Sequence, residues 1–339
     1  MKKLLLASTA LVATAGVAQA DVALSGSAEM GIYGGEDIDT QFFTDVDVTF
    51  TMSGEADNGL TFGASIDLDE SDGADSTCDD AVGLGDNAAG TTCAVNGDSD
   101  AFDPNVQGGE SIFVSFGGAT LTMGDTDGAL DARVPEMALA GGSLADDETA
   151  HNGFDNGAIL DGAGGDGQIA RFDYAFGAAV FSLSAEQDAN GAGDEPVIGV
   201  GVSYAADVSG IDMNVGLGYQ KQEDNRAVTS FAVTGGFANG LTLGATVSNW
   251  DIDGVSDDAT HTGLGIGYEM NALAIGFNYG QYELDGDQTS GWGLATVYDL
   301  GGGISLRAGY GWSSEDEIGG FGGATEDFDT FSLGAKMSF

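Results

Sequence analysis

The chain has 339 residues, with 55 Asp and Glu against 8 Lys and Arg, which gives a formal net charge of −47. A nucleic-acid-binding protein needs basic residues to neutralise phosphates, so this charge excludes that class. Mean hydropathy is +0.00, and only the N-terminus approaches a continuous apolar run, which argues against a bundle of membrane-spanning helices. The content of 42% hydrophobic and 9% aromatic residues argues against disorder.

The first twenty residues have the pattern of a secretory signal peptide. Met1-Lys2-Lys3 is basic, residues 4–17 are almost entirely apolar, and Ala18-Gln19-Ala20 offers the small residues that signal peptidase accepts. The apolar run is shorter than the about 20 residues of a membrane-spanning helix, which argues against an anchor. We therefore predict cleavage after Ala20, export through the periplasm and a mature chain that begins at Asp21.

The two cysteines, Cys78 and Cys93, would enter an oxidising compartment after export. In such a compartment two cysteines are more naturally a disulfide than a metal site. Closing a loop of this length would contribute about 3 kcal/mol in the chain-entropy treatment. We expect a disulfide, with two free thiols as the alternative.

After the signal peptide, apolar residues recur at every second position. In Leu241-Thr242-Leu243-Gly244-Ala245-Thr246-Val247-Ser248 the odd positions are apolar and the even positions are small or polar. Residues two apart share one face of a β-strand, so each such segment has an apolar face and a wet face. The pattern predicts sixteen strands, separated by Gly, Asn and Asp. They span residues 22–34, 40–54, 59–70, 110–117, 119–125, 168–177, 178–187, 197–206, 211–220, 228–238, 240–250, 260–270, 272–283, 291–300, 303–312 and 328–339.

The connections between these strands alternate between short turns and long acidic loops. Every second connection of a meander lies at the same end of the sheet. One end therefore carries the short turns and the other end carries the long loops. This asymmetry, the even strand number and the small polar residues that suit a wet interior favour an all-β, antiparallel transmembrane barrel over a sandwich. Aromatic residues near the strand ends fit interfacial girdles. Residues 21–339 would thus form a single barrel domain in an outer membrane.

Several segments carry a family resemblance. They are Asp21-Val22-Ala23-Leu24-Ser25-Gly26, residues 50–54, residues 59–65, Leu121-Thr122-Met123-Gly124-Asp125, residues 298–303 and the terminal strand that ends in Phe339. These segments resemble the general diffusion porins of alphaproteobacteria, the Rhodobacter type. The resemblance implies a homotrimer in the Gram-negative outer membrane, in contact with its lipids and lipopolysaccharide. It also implies a water-filled channel for ions and small hydrophilic solutes, with no enzymatic activity, and a third external loop folded into the pore as its constriction.

The third long connection, from Asp125 to about Gly167, has the position of this constriction loop. Carboxylates at a narrow point focus the electric field on passing ions. The alternative is a solvated loop without such a role. The candidate residues of the constriction are Asp125, Asp127, Asp131, Arg133 and Glu136.

Strand parity assigns charged residues to the wet face. If Phe172 faces lipid, then Arg171 and Asp173 face the lumen. The same argument gives the candidate pore-lining set Glu29, Asp45, Asp47, Asp67, Arg171, Asp173, Arg307 and Lys336. Porins of this type usually oppose the acidic loop with a basic wall from the first strands, whereas residues 21–132 of this chain contain no Lys or Arg. We therefore predict a pore that prefers cations.

The acidic loops also contain oxygen-rich clusters of the kind that Ca²⁺ or Mg²⁺ prefers. They are Asp72, Asp75, Asp79 and Asp80 around Cys78, and Asp146, Asp147 and Glu148. No EF-hand spacing is present, so the alternative is a solvated face of mutually repelling carboxylates. The channel itself would require no cofactor.

Three other functions meet contrary observations. Residues 164–169 look like one repeat of a secreted acidic calcium-binding β protein, but a solenoid needs an array of repeats. An outer-membrane enzyme would need a catalytic group, but neither His151 nor His261 has a Ser or carboxylate partner in a recognisable motif. We expect both histidines on the surface. A substrate-specific channel would need aromatic residues along its lumen, whereas parity places most of them outside.

Overall fold

Sixteen antiparallel β-strands form the barrel in the computed structural model, which describes residues 21–36, 39–69, 106–144, 148–154, 168–187, 195–314 and 327–339. The strands are β1 Asp21–Gly35, β2 Gln41–Glu55, β3 Thr61–Asp69, β4 Val106–Phe116, β5 Ala119–Gly124, β6 Gln168–Phe176, β7 Ala179–Gln187, β8 Val197–Val208, β9 Ile211–Gln222, β10 Arg226–Phe237, β11 Leu241–Ile252, β12 Ala259–Met270, β13 Leu273–Leu284, β14 Asp287–Gly301, β15 Ile304–Ser313 and β16 Phe328–Ser338. Each strand pairs with its neighbours in the chain, and β1 pairs with β16 to close the sheet. The predicted closed all-β barrel is confirmed. Among the described residues, no helix is long and apolar enough to cross a membrane.

The two-residue period divides the sheet into an outer and an inner face. On β12, the side chains of Leu264 and Ile266 are 48% and 47% exposed, whereas those of Ala259 and His261 are buried. Large apolar side chains are exposed in the same way around the outer face of the other strands. A broad apolar band of this kind suits contact with lipid, and it leaves the inner face to the small and polar residues.

Most strand bounds agree with the predicted ones within a few residues, and the largest differences lie at the starts of β4 and β14. β4 and β14 begin at Val106 and Asp287, each four residues earlier than predicted. β13 and β14 continue to the two-residue turn Asp285-Gly286, in which both residues have a positive φ, 52° and 92°. Asp-Gly is a preferred sequence for such hairpin turns. This connection is therefore a tight hairpin.

Several predictions fall on residues that the structure does not describe. They concern the signal peptide of residues 1–20, Cys78, Cys93, Asp72, Asp75, Asp79, Asp80, Asp146 and Asp147. β1 begins at Asp21, the residue after the predicted cleavage site. The signal peptide, the disulfide and the metal clusters remain predictions.

Leu264→Arg tests the assignment of the outer face. Leu264 lies midway along β12, so we expect an arginine there to lie in hydrocarbon and to lower the free energy of unfolding by about 2–4 kcal/mol. Urea-induced unfolding in phosphatidylcholine vesicles measures this value. The control is Tyr268→Arg near the end of the same strand, where the loss should be about 0–1 kcal/mol. Equal losses at the two positions would contradict the assignment.

Candidate functional site

The described parts of the connection after β5, residues 125–144 and 148–154, fold into the barrel and lie on its inner wall. We call residues 125–144 the outbound segment. Near its start, the N–H of Ala129 donates to Oγ of Ser184 on β7 at 2.8 Å. At its far end, the N–H of Leu144 donates to Oγ of Ser332 on β16 at 3.3 Å. The outbound segment therefore passes along the inward faces of the strands from β7 to β16.

Glycines on the inward face of these strands make room for the outbound segment. A Cβ atom added at Gly201 would lie 2.0 Å from the carbonyl oxygen of Ala129, and one added at Gly276 would lie 1.8 Å from that of Ala140. We call the set the glycine groove: Gly201, Gly216, Gly218, Gly244, Gly265, Gly267, Gly276 and Gly309. The expectation that inward glycines line water is wrong for this part of the wall, because loop backbone covers them.

Apolar side chains hold the outbound segment against the wall. Leu130, Val134 and Met137 belong to one buried cluster with wall residues that include Trp250 and Tyr282. A second buried cluster joins Leu144 to Tyr33 of β1 and Phe43 of β2. Full burial of such a side chain contributes about 1.5–3 kcal/mol, so the loop is held by the force that holds a protein core.

The inward face of β2 and β3 carries three partly exposed carboxylates, Asp45, Asp47 and Asp67. Oγ of Ser27 donates to Asp47 at 2.8 Å, and Oγ1 of Thr49 donates to Asp67 at 2.9 Å. The strand register explains why these three carboxylates lie together. Asp45 and Asp47 are two residues apart on β2, and Asp67 of β3 lies opposite Thr49 of β2. We call these three residues the acidic wall. No Lys or Arg occurs in residues 21–132, so β2 and β3 supply no basic residue to it.

Glu29 is on the inner face but differs from the acidic wall, because its side chain is only 1% exposed. Its Oε1 lies 3.1 Å from Nζ of Lys336 and 3.7 Å from Nη1 of Arg307. The same Nη1 donates to the carbonyl oxygen of Ser143 in the outbound segment at 3.0 Å. Glu29 thus neutralises Lys336 and Arg307, and it helps to hold the outbound segment through Arg307.

A second charged cluster lies where the outbound segment leaves β5. Nε of Arg171 lies 3.0 Å from Asp173, and its Nη1 donates to the carbonyl oxygen of Asp127 at 2.6 Å. Arg133 faces the same carboxylates, and burial lowers the pKa of its guanidinium although Asp173 and Asp127 oppose this shift. Each of these two cations therefore has carboxylates beside it.

The remaining candidates of the loop occupy different environments. Asp125 and Glu136 are exposed, and Asp131 is half-buried. Glu148 is buried, with 6% of its surface exposed. Within the described part of the chain, no group of three or more metal-ligating side chains could hold an ion. The structure thus brings Asp127 and Arg133 together but not the full predicted loop set.

The prediction for the two histidines is wrong, since both are buried. His151 and His261 are 4% and 0% exposed. Nε2 of His261 lies 3.0 Å from the carbonyl oxygen of Gly153, and Nε2 of His151 contacts Oδ1 of Asn278. The histidines therefore join the loop to the wall. Each partner is more than 100 residues away in the chain, so no local motif could have revealed the pairing.

A barrel whose inner wall carries a long, seated loop and charged clusters is the architecture of a channel with a constriction. The sequence pattern of the Gram-negative porins matches residues 7–318. The chain belongs to the Gram-negative porin family. A porin of Rhodobacter capsulatus is 27% identical over 323 residues, which cover 85% of this chain and 93% of that porin.

Solved porin structures share the fold at low sequence identity. A triple mutant of the Rhodopseudomonas blastica porin is 16% identical with a TM-score of 0.64, and the match covers 94% of this chain and all (100%) of that one. A refined porin structure is 21% identical with a TM-score of 0.66 and the same coverage, 94% and 100%. The family and the fold together make this protein an outer-membrane channel and not an enzyme, as predicted.

Gly276→Ala tests the seating of the loop. The added methyl group would overlap the carbonyl oxygen of Ala140, so we expect the free energy of unfolding to fall by about 1–3 kcal/mol. We also expect a changed single-channel conductance, because the outbound segment must move away from the wall. The control is Gly236→Ala. Outside the adjacent residues, the nearest atoms lie 3.7 Å from the new Cβ, which is an ordinary van der Waals contact. A Gly276→Ala porin with the stability and conductance of the control would contradict the seating.

Proposed function

We propose that this porin is a cation-preferring, water-filled channel for the passive diffusion of ions and small hydrophilic solutes. The observation that carries the proposal is the acidic wall. Asp45, Asp47 and Asp67 remain partly exposed on the inner face. The outbound segment lies along β7 to β16, and its last residue, Leu144, packs against Tyr33 and Phe43. Ions that pass between the loop and β2 and β3 would meet these carboxylates.

The distribution of the basic residues supports the same preference. Arg307 and Lys336 lie beside the buried Glu29, and Arg171 lies between Asp127 and Asp173. These cations are largely neutralised where they stand. A field from the acidic wall in a narrow lumen with low-dielectric walls would raise the local concentration of cations and lower that of anions.

The double variant Asp45→Asn with Asp47→Asn tests this proposal. A unit charge about 4 Å from an ion contributes about 1 kcal/mol in water, so removal of the negative charge that this carboxylate pair carries should lower the permeability ratio of K⁺ to Cl⁻ severalfold. The reversal potential of a planar bilayer under a KCl gradient gives the ratio. Asp57→Asn, in an exposed turn, is the matched control and should leave the ratio unchanged. Anion preference in the unmodified porin would overturn the proposal.

A homotrimer is the second part of the proposal. β5 has 6 residues, and a tilted strand of that length spans only about 16 Å of an apolar band about 25 Å tall. Ile112 and Met123 on β4 and β5 nevertheless expose 62% and 54% of their surface outward. A short wall with exposed apolar side chains is better covered by another copy of the porin than by a full-height bilayer. Lipid and lipopolysaccharide would then cover the taller strands.

Ile112→Cys tests the trimer interface. In a background with Cys78 and Cys93 replaced by serine, a short bifunctional thiol reagent should link copies through residue 112, because the β4 to β5 wall faces the trimer axis. Denaturing electrophoresis should show linked dimers, the largest species that one thiol per copy and a two-ended reagent can form, and the bilayer conductance of the unmodified porin should appear in steps of three. Leu264→Cys, on the tall side, is the control and should remain monomeric. Single conductance steps with no linked species would contradict the proposal.

The predicted divalent cation at the acidic loops and the Cys78 to Cys93 disulfide also remain part of this proposal. Both rest on the export signal and on the residue types of the loops. Neither is required for passage through the channel.

A further inference from the structure

An apolar groove follows β8 on the outer face of the barrel. Val200 and Val202 lie two residues apart on this face, and the groove that they line has a volume of about 550 Å³. Larger side chains of β7 and β9 lie opposite these valines in the strand register: Leu183, Tyr219, Phe181 and Leu217. Because valine is the smallest of these residues, the outer surface is recessed along β8 between its two neighbouring strands.

The strands around this groove are tall enough to span a bilayer. β8, β9 and β10 have 12 residues each, and a tilted strand of that length rises about 30 Å against an apolar band of about 25 Å. The short β5, whose wall is proposed above as the contact between copies, lies three strands away from β8. Lipid chains are therefore the neighbours that this side of the barrel meets.

The loop end of the groove coincides with the edge of the apolar surface. On β10 and β11 the outward side chains change there from Phe231 and Val247 to the polar Thr229 and Asn249. Tyr219 of β9 lies opposite Thr229, which is the position of an aromatic residue in the interfacial girdle. Residues beyond Tyr219 toward the long loops therefore lie at the level of the lipid headgroups.

Lys221 is the next outward residue after Tyr219 on β9, about 7 Å farther along the strand. Its ammonium group therefore lies at headgroup level, just beyond the end of the groove. Within the described chain, Lys221 is the one basic residue on the outer face. The other five basic residues of that part lie on the inner face or in the outbound segment: Arg133, Arg171, Arg226, Arg307 and Lys336.

The ammonium of Lys221 has donors left for a ligand. Nζ lies 2.7 Å from Oε2 of Glu223, and the two side chains are 41% and 62% exposed. An ammonium has three N–H donors and Glu223 uses one, so two remain for the oxygens of a phosphate. An ion pair as exposed as this one contributes little to stability, so Lys221 can also turn toward another anion at little cost.

We propose that this groove and Lys221 form a binding site for one lipid A of lipopolysaccharide, with an acyl chain along Val200 and Val202 and a phosphate on the Lys221 ammonium. The groove removes the chain from contact with other lipids only through apolar packing, which any acyl chain can make. The phosphate contact supplies the selectivity, because a charge-assisted hydrogen bond at headgroup level requires an anionic lipid. The inference rests on the proposed covering of the taller strands by lipopolysaccharide, and it does not depend on ion preference.

Lys221→Gln tests the phosphate contact. Native mass spectrometry of the mature porin in detergent, titrated with lipid A, gives the affinity and the number of lipids bound per copy. The buffer contains a chelator, so that Glu223 cannot hold the phosphate through a divalent cation. We expect Lys221→Gln to bind lipid A about fivefold more weakly than the unmodified porin, the effect of one lysine at an anionic membrane surface. Dephosphorylated lipid A should bind equally to both porins, and equal affinities for intact lipid A would overturn the proposal.

Val200→Phe tests the groove in the same titration. The larger side chain fills the recess along β8 and faces lipid, so we expect a folded barrel with severalfold weaker binding of both intact and dephosphorylated lipid A. Val247→Phe, the same substitution at an exposed position on β11 outside the groove, is the matched control and should bind lipid A like the unmodified porin. Equal binding by the two variants would overturn the assignment of the acyl chain to the groove.

Glu223→Gln gives a test with the opposite sign. The substitution removes a carboxylate that competes for the ammonium of Lys221 and that repels a phosphate. We therefore expect tighter binding of intact lipid A and unchanged binding of dephosphorylated lipid A. If Lys221 serves only to pair with Glu223, this variant should bind lipid A no better than the unmodified porin, and that result would overturn the proposal.

The same spectra separate this proposal from those on the channel. A second copy of the porin is the other possible occupant of the groove, and in that case Val200→Phe would lose the oligomer that Val247→Phe retains, which would overturn the lipid site. A monomeric unmodified porin that still binds lipid A through Lys221 would support the lipid site and contradict only the trimer. Ion preference is measured by the reversal potential and is independent of these titrations. Circular dichroism of each variant should show an unchanged β content before affinities are compared.

Discussion

The close contact between a glycine-lined inner wall and the backbone of an inserted loop is the constraint on which the rest of this structure depends. Carbonyl oxygens of the outbound segment occupy positions that a Cβ atom would take at Gly201 and Gly276. Side chains at these contact points would keep the outbound segment away from the wall. Because glycines occupy them, apolar side chains such as Leu130 and Met137 can also reach the wall and become buried. The outbound segment thereby takes one position against the barrel wall.

This placement gives the charged residues different roles. Glu29 is buried and holds Lys336 and Arg307, whereas the acidic wall remains partly exposed on β2 and β3. Residues of the same chemical type therefore hold cations at Glu29 on β1 and, in the proposed channel, act as sources of the field on the neighbouring strands β2 and β3. The chain's large negative charge does not by itself settle ion preference. What matters is which carboxylates remain exposed on the inner face of the barrel.

Much of the fold follows from the two-residue period, because alternation fixes both the strand and its lipid-facing side. Parity correctly separated Phe172 from Arg171, and β4 and β14 differed from the predicted bounds mainly at their starts. At β14 the Asp285-Gly286 hairpin extends the pairing. The site was less predictable. Parity places a glycine on the inner face but does not tell whether water or loop backbone covers it. His151 was predicted on the surface because its partner, Asn278, is distant in sequence.

The most direct test of the account measures which inner wall is open to ions. With Cys78 and Cys93 replaced by serine, cysteine is introduced singly as Asp47→Cys on the acidic wall and as Ser248→Cys, where the native side chain is only 1% exposed. The account predicts that a cationic thiol reagent modifies residue 47 rapidly and reduces the ion current, that an anionic reagent reacts more slowly there, and that residue 248 is unreactive. Equal modification of the two positions, or faster reaction of the anionic reagent at residue 47, would contradict it.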